Sequence, residues 1–150
     1  MILYIEDIKI ECDILNWYKG EAAKNGDPNA VFVQSDKEAQ DAFMYHLRNA
    51  VTDVLIFSNA NRVKFTCEHK DDALTFSISP LRVGREYLLN LLKEAIRQYL
   101  VYEIRRLWMM NIKPEWADTS LRESLRENIR QVMNDVTSMG VKVRRRYTWF

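Results

Sequence analysis

His46 and His69, Cys12 and Cys67, and the adjacent Asp71-Asp72 are the side chains of this chain whose types could carry acid-base, nucleophilic or metal chemistry. Their spacing argues against all three. The histidines are far apart in sequence, one beside an apolar helical stripe and one at a hairpin turn, so structural or solvated roles outweigh a ligand or general-base role. Adjacent aspartates point to opposite faces of a strand and are ordinarily solvated in a turn, so they make no carboxylate dyad. The two cysteines lack metal-ligand spacing and read as small core residues. No P-loop, GxGxxG, HExxH, GxSxG or CxxC occurs, and Trp108-Met109-Met110 falls on helical spacing, which explains it as core rather than cofactor pocket. The chain is expected to be no enzyme, with no catalytic residue, no metal ligand and no cofactor.

One stretch is not explained by a core. Lys142, Arg144, Arg145 and Arg146 lie beside Tyr147, Trp149 and Phe150. Such a basic, aromatic end can meet a phosphate backbone and stack on bases, dock on another subunit, or pair at home as a terminal strand.

The elements that must position these residues follow from periodicity. Leu88, Leu92, Ala95, Ile96, Tyr99, Tyr102 and Leu107 recur at three- and four-residue spacing, which predicts a long central helix over about 82–111. Its second half is apolar or aromatic nearly all round, so it is covered on several sides, and Arg105 and Arg106 must there reach water, a carboxylate or a partner. Ile5, Ile8, Cys12, Leu15 and Tyr18 predict a first helix over 6–18, with a strand possible from the alternation Ile8, Ile10, Cys12. Lys19 to Gln34 reads as a loop from Gly20, Asn25-Gly26 and Asp27-Pro28. Ser35 and Glu38 form a capping box for a helix over about 36–57 with the stripe Ala39, Phe43, Leu47, Ala50, Val54 and Phe57. Val63, Phe65, Cys67 and then Leu74, Phe76, Ile78 alternate with polar residues, which predicts a β-hairpin over 62–79 that packs one face on the helices. Ser79-Pro80 offers a helix start that Gly84 delays. Ser120 and Glu123 suggest a second capping box, before a helix over 119–139 with Leu121, Leu125, Ile129, Val132, Val136 and Met139 on one face and Gly140 as its C-cap. An extended arm, 141–150, closes the chain. The fold class expected is mainly α (α+β), a single-domain bundle of about four helices with one β-hairpin and an extended C-terminal arm.

Composition agrees with one globular domain. Hydrophobic residues make up 47% and charged ones 29% of 150 residues, enough for a sizeable core and too little polarity for disorder. No apolar run approaches a membrane span and no signal peptide is visible, so a reducing cytoplasm and no membrane partner are expected. The charge is polarised: residues 1–79 hold eight Lys/Arg against thirteen Asp/Glu, net −5, and residues 80–150 hold fourteen against eight, net +6. Intramolecular pairing accounts for such asymmetry most simply, and head-to-tail contact between copies is the other account.

Trp17-Tyr18-Lys19-Gly20-Glu21-Ala22-Ala23-Lys24 follows the N-terminal helix, Val33-Gln34-Ser35-Asp36-Lys37-Glu38 opens the second, a long aromatic helix ending in Trp108 follows the hairpin, and Arg144-Arg145-Arg146-Tyr147-Thr148-Trp149-Phe150 closes the chain. In these residues and their order the chain resembles a family of small structural proteins encoded among the virion genes of tailed phages and prophages of Bacteroides-type gut bacteria. The resemblance covers nearly the full length and lacks a proline expected between the arginines and the aromatic end. The resemblance implies a non-enzymatic virion protein, a head-tail connector or adaptor of the neck that forms a homo-oligomeric ring between portal and tail, with a tail-completion or tail-terminator role as the alternative. It implies assembly in the host bacterial cytoplasm, contacts with portal, neck or tail proteins, and possible contact with packaged DNA. In that reading Arg144, Arg145, Arg146, Tyr147, Trp149 and Phe150 anchor an adjacent subunit, Ile2, Leu3 and Tyr4 do likewise at the other end, and Lys70, Asp71 and Asp72 at the hairpin tip touch a neighbouring layer or line the channel. A small nucleic-acid-binding protein using the basic arm is the rival from another class.

Overall fold

The computed structural model describes residues 1–30, 35–59 and 63–137. The C-terminal arm 141–150 and Gly140 as a C-cap lie outside them. The architecture is mainly α with a small antiparallel sheet, in the order β1 (Ile2–Tyr4), α1 (Ile5–Cys12), α2 (Ile14–Lys24), α3 (Asp36–Ser58), β2 (Lys64–Lys70), β3 (Ala73–Ser79), α4 (Leu88–Ile112), a 3-10 turn (Pro114–Trp116) and α5 (Arg122–Thr137).

α4 is the organising element. Leu92, Ile96, Tyr99, Leu100 and Ile104 are wholly buried, and Val101, Trp108 and Met109 nearly so, since α1, α3 and α5 all pack on it. α3 begins as its sequence dictates: the Ser35 hydroxyl accepts from the Glu38 amide at 3.3 Å and the Glu38 carboxylate accepts from the Ser35 amide at 2.9 Å, which satisfies two amides that a helix start leaves unpaired. Phe43, Leu47, Ala50 and Val54 then face the core.

The hairpin also forms as its alternation requires. β2 and β3 pair from Lys64↔Ser79 to Lys70↔Ala73, with Asp71-Asp72 as the turn. Asp71 has φ 54°, a left-handed conformation that aspartate tolerates better than most residues. Phe65 and Phe76 stack at 5.6 Å on the face that meets the helices. A third strand, β1, joins the other side of β3 through Ile2↔Thr75, Leu3↔Leu74 and Tyr4↔Ala73, so the sheet order is β1-β3-β2.

Several expectations are corrected. The span read as one helix over 6–18 and a loop from 19 breaks at Asp13 (φ 40°), and α2 then runs on to Lys24, where Asn25 and Gly26 (φ 75°) end it. The chain turns at Asp13 because its aspartate accepts the left-handed conformation and its carboxylate binds Asn16 at 3.1 Å. Ser79-Pro80 starts no helix: Ser79 still pairs in β3, the Ser79-Pro80 bond is cis, Gly84 has φ 80°, and α4 begins only at Leu88. The Ser120-Glu123 box does not form. Asp118 accepts from the Ser120 amide at 2.8 Å and from its hydroxyl at 2.7 Å, while Glu123 pairs with Arg130.

Candidate interaction surfaces

Two kinds of site are visible, one inside the bundle and one at its surface. The inner one is an ionic network across three helices. Glu103 on α4 is 1% exposed and takes a two-pronged contact from Arg106 (2.8 and 2.7 Å) and another from Arg122 on α5 (3.2 and 3.0 Å). Asp53 on α3 accepts from Arg126 at 2.6 and 2.7 Å and from the Tyr99 hydroxyl. Burial alone would raise the Asp53 carboxyl, but the Arg126 and Tyr99 hydrogen bonds and the two nearby guanidinium charges outweigh it and hold it below its ordinary range. Tyr99 is pushed up, by burial first and by its bond to Asp53 next. Each acid is thus paired with arginine, and the network fastens α3, α4 and α5 together.

Arg105, the other interior cation of α4, donates to the carbonyls of Cys12 (2.9 Å) and Glu11 (3.0 Å) and lies over Trp17. It closes the C-terminal end of α1, where carbonyls lack helical partners and a cation is favoured. Beside it, Trp17, Trp116 and Tyr102 line a cleft of about 320 Å³ whose cations, Lys24, Arg105 and Arg106, are matched by Glu11, Glu21 and Asp118. Among the described residues no group of three or more His, Cys, Asp or Glu could hold a metal ion, and no helix is long and apolar enough to cross a membrane. Cys12 is buried, its thiol pushed up to about 12 by that burial, and Cys67 is half-buried, its thiol pushed up to about 11.

The surface is more informative. The Ile5 amide donates to the Asp72 carbonyl at 2.8 Å, and Tyr4 pairs with Ala73, so the fold brings β1 to the hairpin tip. Tyr4 (52% exposed) and, two residues further from the tip, Ile2 (46%) therefore lie at the same end of the sheet as Lys70, Asp71 and Asp72, with Glu6 and Asp7 of α1 following β1 directly. Leu3 does not belong to this surface. At 3% exposed it points into the core, because strand alternation sends it opposite to its neighbours. The six arm residues Arg144, Arg145, Arg146, Tyr147, Trp149 and Phe150 lie outside the described residues.

The far end of the same sheet is different. A strand of seven residues spans about 20 Å, and beyond Ser79 the chain passes through Leu81, Val83 and Tyr87, all exposed, Val83 at 93%. Arg82 and Arg85 lie among them in sequence, with Glu86 as counter-charge, and Lys64 pairs with Ser79 at the same end of the sheet. The Arg82 amide donates to the Val136 carbonyl at 3.0 Å, so the last turn of α5 is tied to this loop. Sequence reading placed residues 82–87 in the first turns of the central helix, whereas the helix begins at Leu88 and they form a loop with exposed apolar residues beside arginines. Compared with known protein families, with curated proteins and with solved structures, the chain matches none of them.

Proposed function

We propose that the protein is a non-enzymatic structural subunit of a tailed-phage virion, a head-tail connector of the neck that assembles through head-to-tail contacts into a ring between portal and tail. The single observation that carries this reading is the unlike character of the two ends of the sheet. The tip end presents Asp71 and Asp72 with Tyr4 and Ile2, and the other end presents Arg82 and Arg85 with Leu81, Val83 and Tyr87. Two different, complementary patches on one chain suit a heterologous interface, which closes into a ring when the rotation per subunit divides a full turn. Apolar residues flanked by opposite charges are the composition such contacts favour.

The test is the mass of the full chain by native mass spectrometry and light scattering, across concentration and with neighbouring neck proteins added. Rings, or a chain that joins a ring only with a partner, are expected. Replacing Arg82→Glu with Arg85→Glu should abolish assembly, and mixing that variant with Asp71→Lys, Asp72→Lys should restore a mixed contact. A strict monomer that ignores those proteins and binds DNA with a steep salt dependence would overturn the proposal in favour of nucleic-acid binding.

A further inference from the structure

Trp17 on α2, Tyr102 on α4 and Trp116 in the 3-10 turn wall a cleft of about 320 Å³, a volume at the lower end of the range that small-ligand sites occupy. Val101 and Leu125 add apolar surface, and Leu121, 53% exposed, stands in the same lining. The aromatic walls are held in place. The Tyr102 hydroxyl donates to the Asp118 carbonyl at 2.7 Å, and the Trp116 ring lies 6.1 Å from Tyr18, with the Lys113 ammonium 5.5 Å from its centre.

The three cations of this cleft are not equivalent. Lys24 pairs with Glu21 at 3.0 Å, and Arg106 commits its Nε and Nη2 to Glu103. Arg105 has no carboxylate partner among the described residues. Its Nε and Nη2 donate to the Cys12 and Glu11 carbonyls, and its guanidinium lies 5.7 Å from the centre of the Trp17 ring, so the plane of the group is fixed. Nη1, which carries two N–H donors, makes no hydrogen bond among the described residues. A charged donor already fixed beside aromatic walls loses little freedom on binding, and a guanidinium matches a carboxylate in both geometry and charge. The acids of the lining select the charge of the guest. Glu11, Glu21 and Asp118 stand against the three cations, so one negative charge is accommodated at Arg105, whereas a dianionic phosphate would meet three like charges.

We propose that this cleft binds a small monocarboxylate with a flat apolar body, an arylalkyl carboxylic acid, with its carboxylate on Nη1 of Arg105 and its ring among Trp17, Tyr102 and Trp116. The proposal stands apart from ring assembly, since none of these residues belongs to either end of the sheet.

Isothermal titration calorimetry of the full chain with 3-phenylpropionate tests it, with 3-phenylpropionamide as the uncharged analogue and phenyl phosphate as the more highly charged one. Saturable binding of the acid is expected, with the amide about tenfold weaker because a hydrogen bond between charged groups is lost. Phenyl phosphate should also bind more weakly than the acid. Leu121→Glu adds a negative charge at an exposed position of the lining and should weaken the acid about tenfold. Ile56→Glu, the same charge at a position 71% exposed on α3, should leave binding unchanged. Arg105→Gln, shown to be folded by circular dichroism, should lose the preference for acid over amide. Equal affinity for acid and amide, tighter binding of phenyl phosphate, equal effects of Leu121→Glu and Ile56→Glu, or a preference that survives in folded Arg105→Gln would each overturn the proposal. So would the absence of saturable heat, which is also the result that a cleft filled by residues 138–150 would give.

Discussion

Replacing Glu103 by alanine is the sharpest probe of the interior. The carboxylate is 1% exposed and joins two guanidinium groups through four contacts of 2.7 to 3.2 Å. Removing it leaves Arg106, 12% exposed at its side chain, buried without its charge partner. Breaking one side of a buried ion pair costs about 3–5 kcal/mol. Arg122 is 32% exposed and keeps a 3.5 Å contact with Asp53, so it can turn toward solvent, which places the expected loss near the lower end, about 3 kcal/mol. With a urea slope of about 2 kcal/mol/M the unfolding midpoint should fall by about 1.5 M. The assay is urea unfolding followed by circular dichroism, at a concentration where the chain is monomeric. Joint replacement Glu103→Leu, Arg106→Leu, Arg122→Leu should cost much less than Glu103→Ala alone, since no charge is then stranded. A single-variant loss below about 0.5 kcal/mol would refute the reasoning, because a loss that small is ordinary for a solvated surface pair.

Ser35→Ala removes the hydroxyl of the observed capping box and should lower stability by about 1 kcal/mol in the same unfolding assay, with no change in oligomeric mass. His46 is 3% exposed, and burial lowers its pKa below the ordinary 6.5. A histidine held neutral in the fold stabilises it fully above the unfolded pKa and loses that contribution as pH falls from 6.5 toward the folded value. Stability should therefore begin to drop below about pH 6.5, and His46→Gln, measured by urea midpoints at pH 5 and 7.5, should reduce that dependence. Asp53, whose carboxyl is depressed, adds a second loss at lower pH, below its ordinary 3.8.

How much of this was legible depended on how far apart the interacting residues lie in sequence. The α3 cap is complete within Ser35 to Glu38, and the hairpin within one alternating run, so both could be read directly. β1 could not, because three residues are too short for a period and their partner strand lies about seventy residues on. The Asp53–Arg126 pair is as non-local, and the Glu103–Arg122 pair joins two different helices; the sequence showed only that Arg105 and Arg106 needed some partner. Ser120-Glu123 failed for a related reason. A capping box is a local preference worth about 1 kcal/mol, and here Asp118 reached the Ser120 amide while Arg130 drew Glu123 away.

The distribution of paired cations separates the fold from the assembly. Of the arginines that make residues 80–150 basic, Arg97, Arg106, Arg122, Arg126 and Arg130 contact carboxylates, two of which, Glu11 and Asp53, belong to the acidic half. Intramolecular pairing thus absorbs part of the charge asymmetry, and Arg82 and Arg85 remain at one end of the sheet, with Asp71 and Asp72 at the other. Screening treats the two sets differently. At 1 M salt the Debye length is about 3 Å, so exposed charges meeting across a subunit contact lose most of their attraction, while the Glu103 contacts, dry and direct, lose little. Raising salt from 0.05 to 1 M should therefore shift the chain from ring to monomer in light scattering, while the urea midpoint of the monomer changes by less than about 0.5 M. If the midpoint fell in step with the oligomer mass, the interior network would be solvated and the ends of the sheet would not be what salt acts upon. Rings that persisted unchanged at 1 M salt would instead mean that Leu81, Val83 and Tyr87 hold the contact by apolar burial, which strong salt does not weaken.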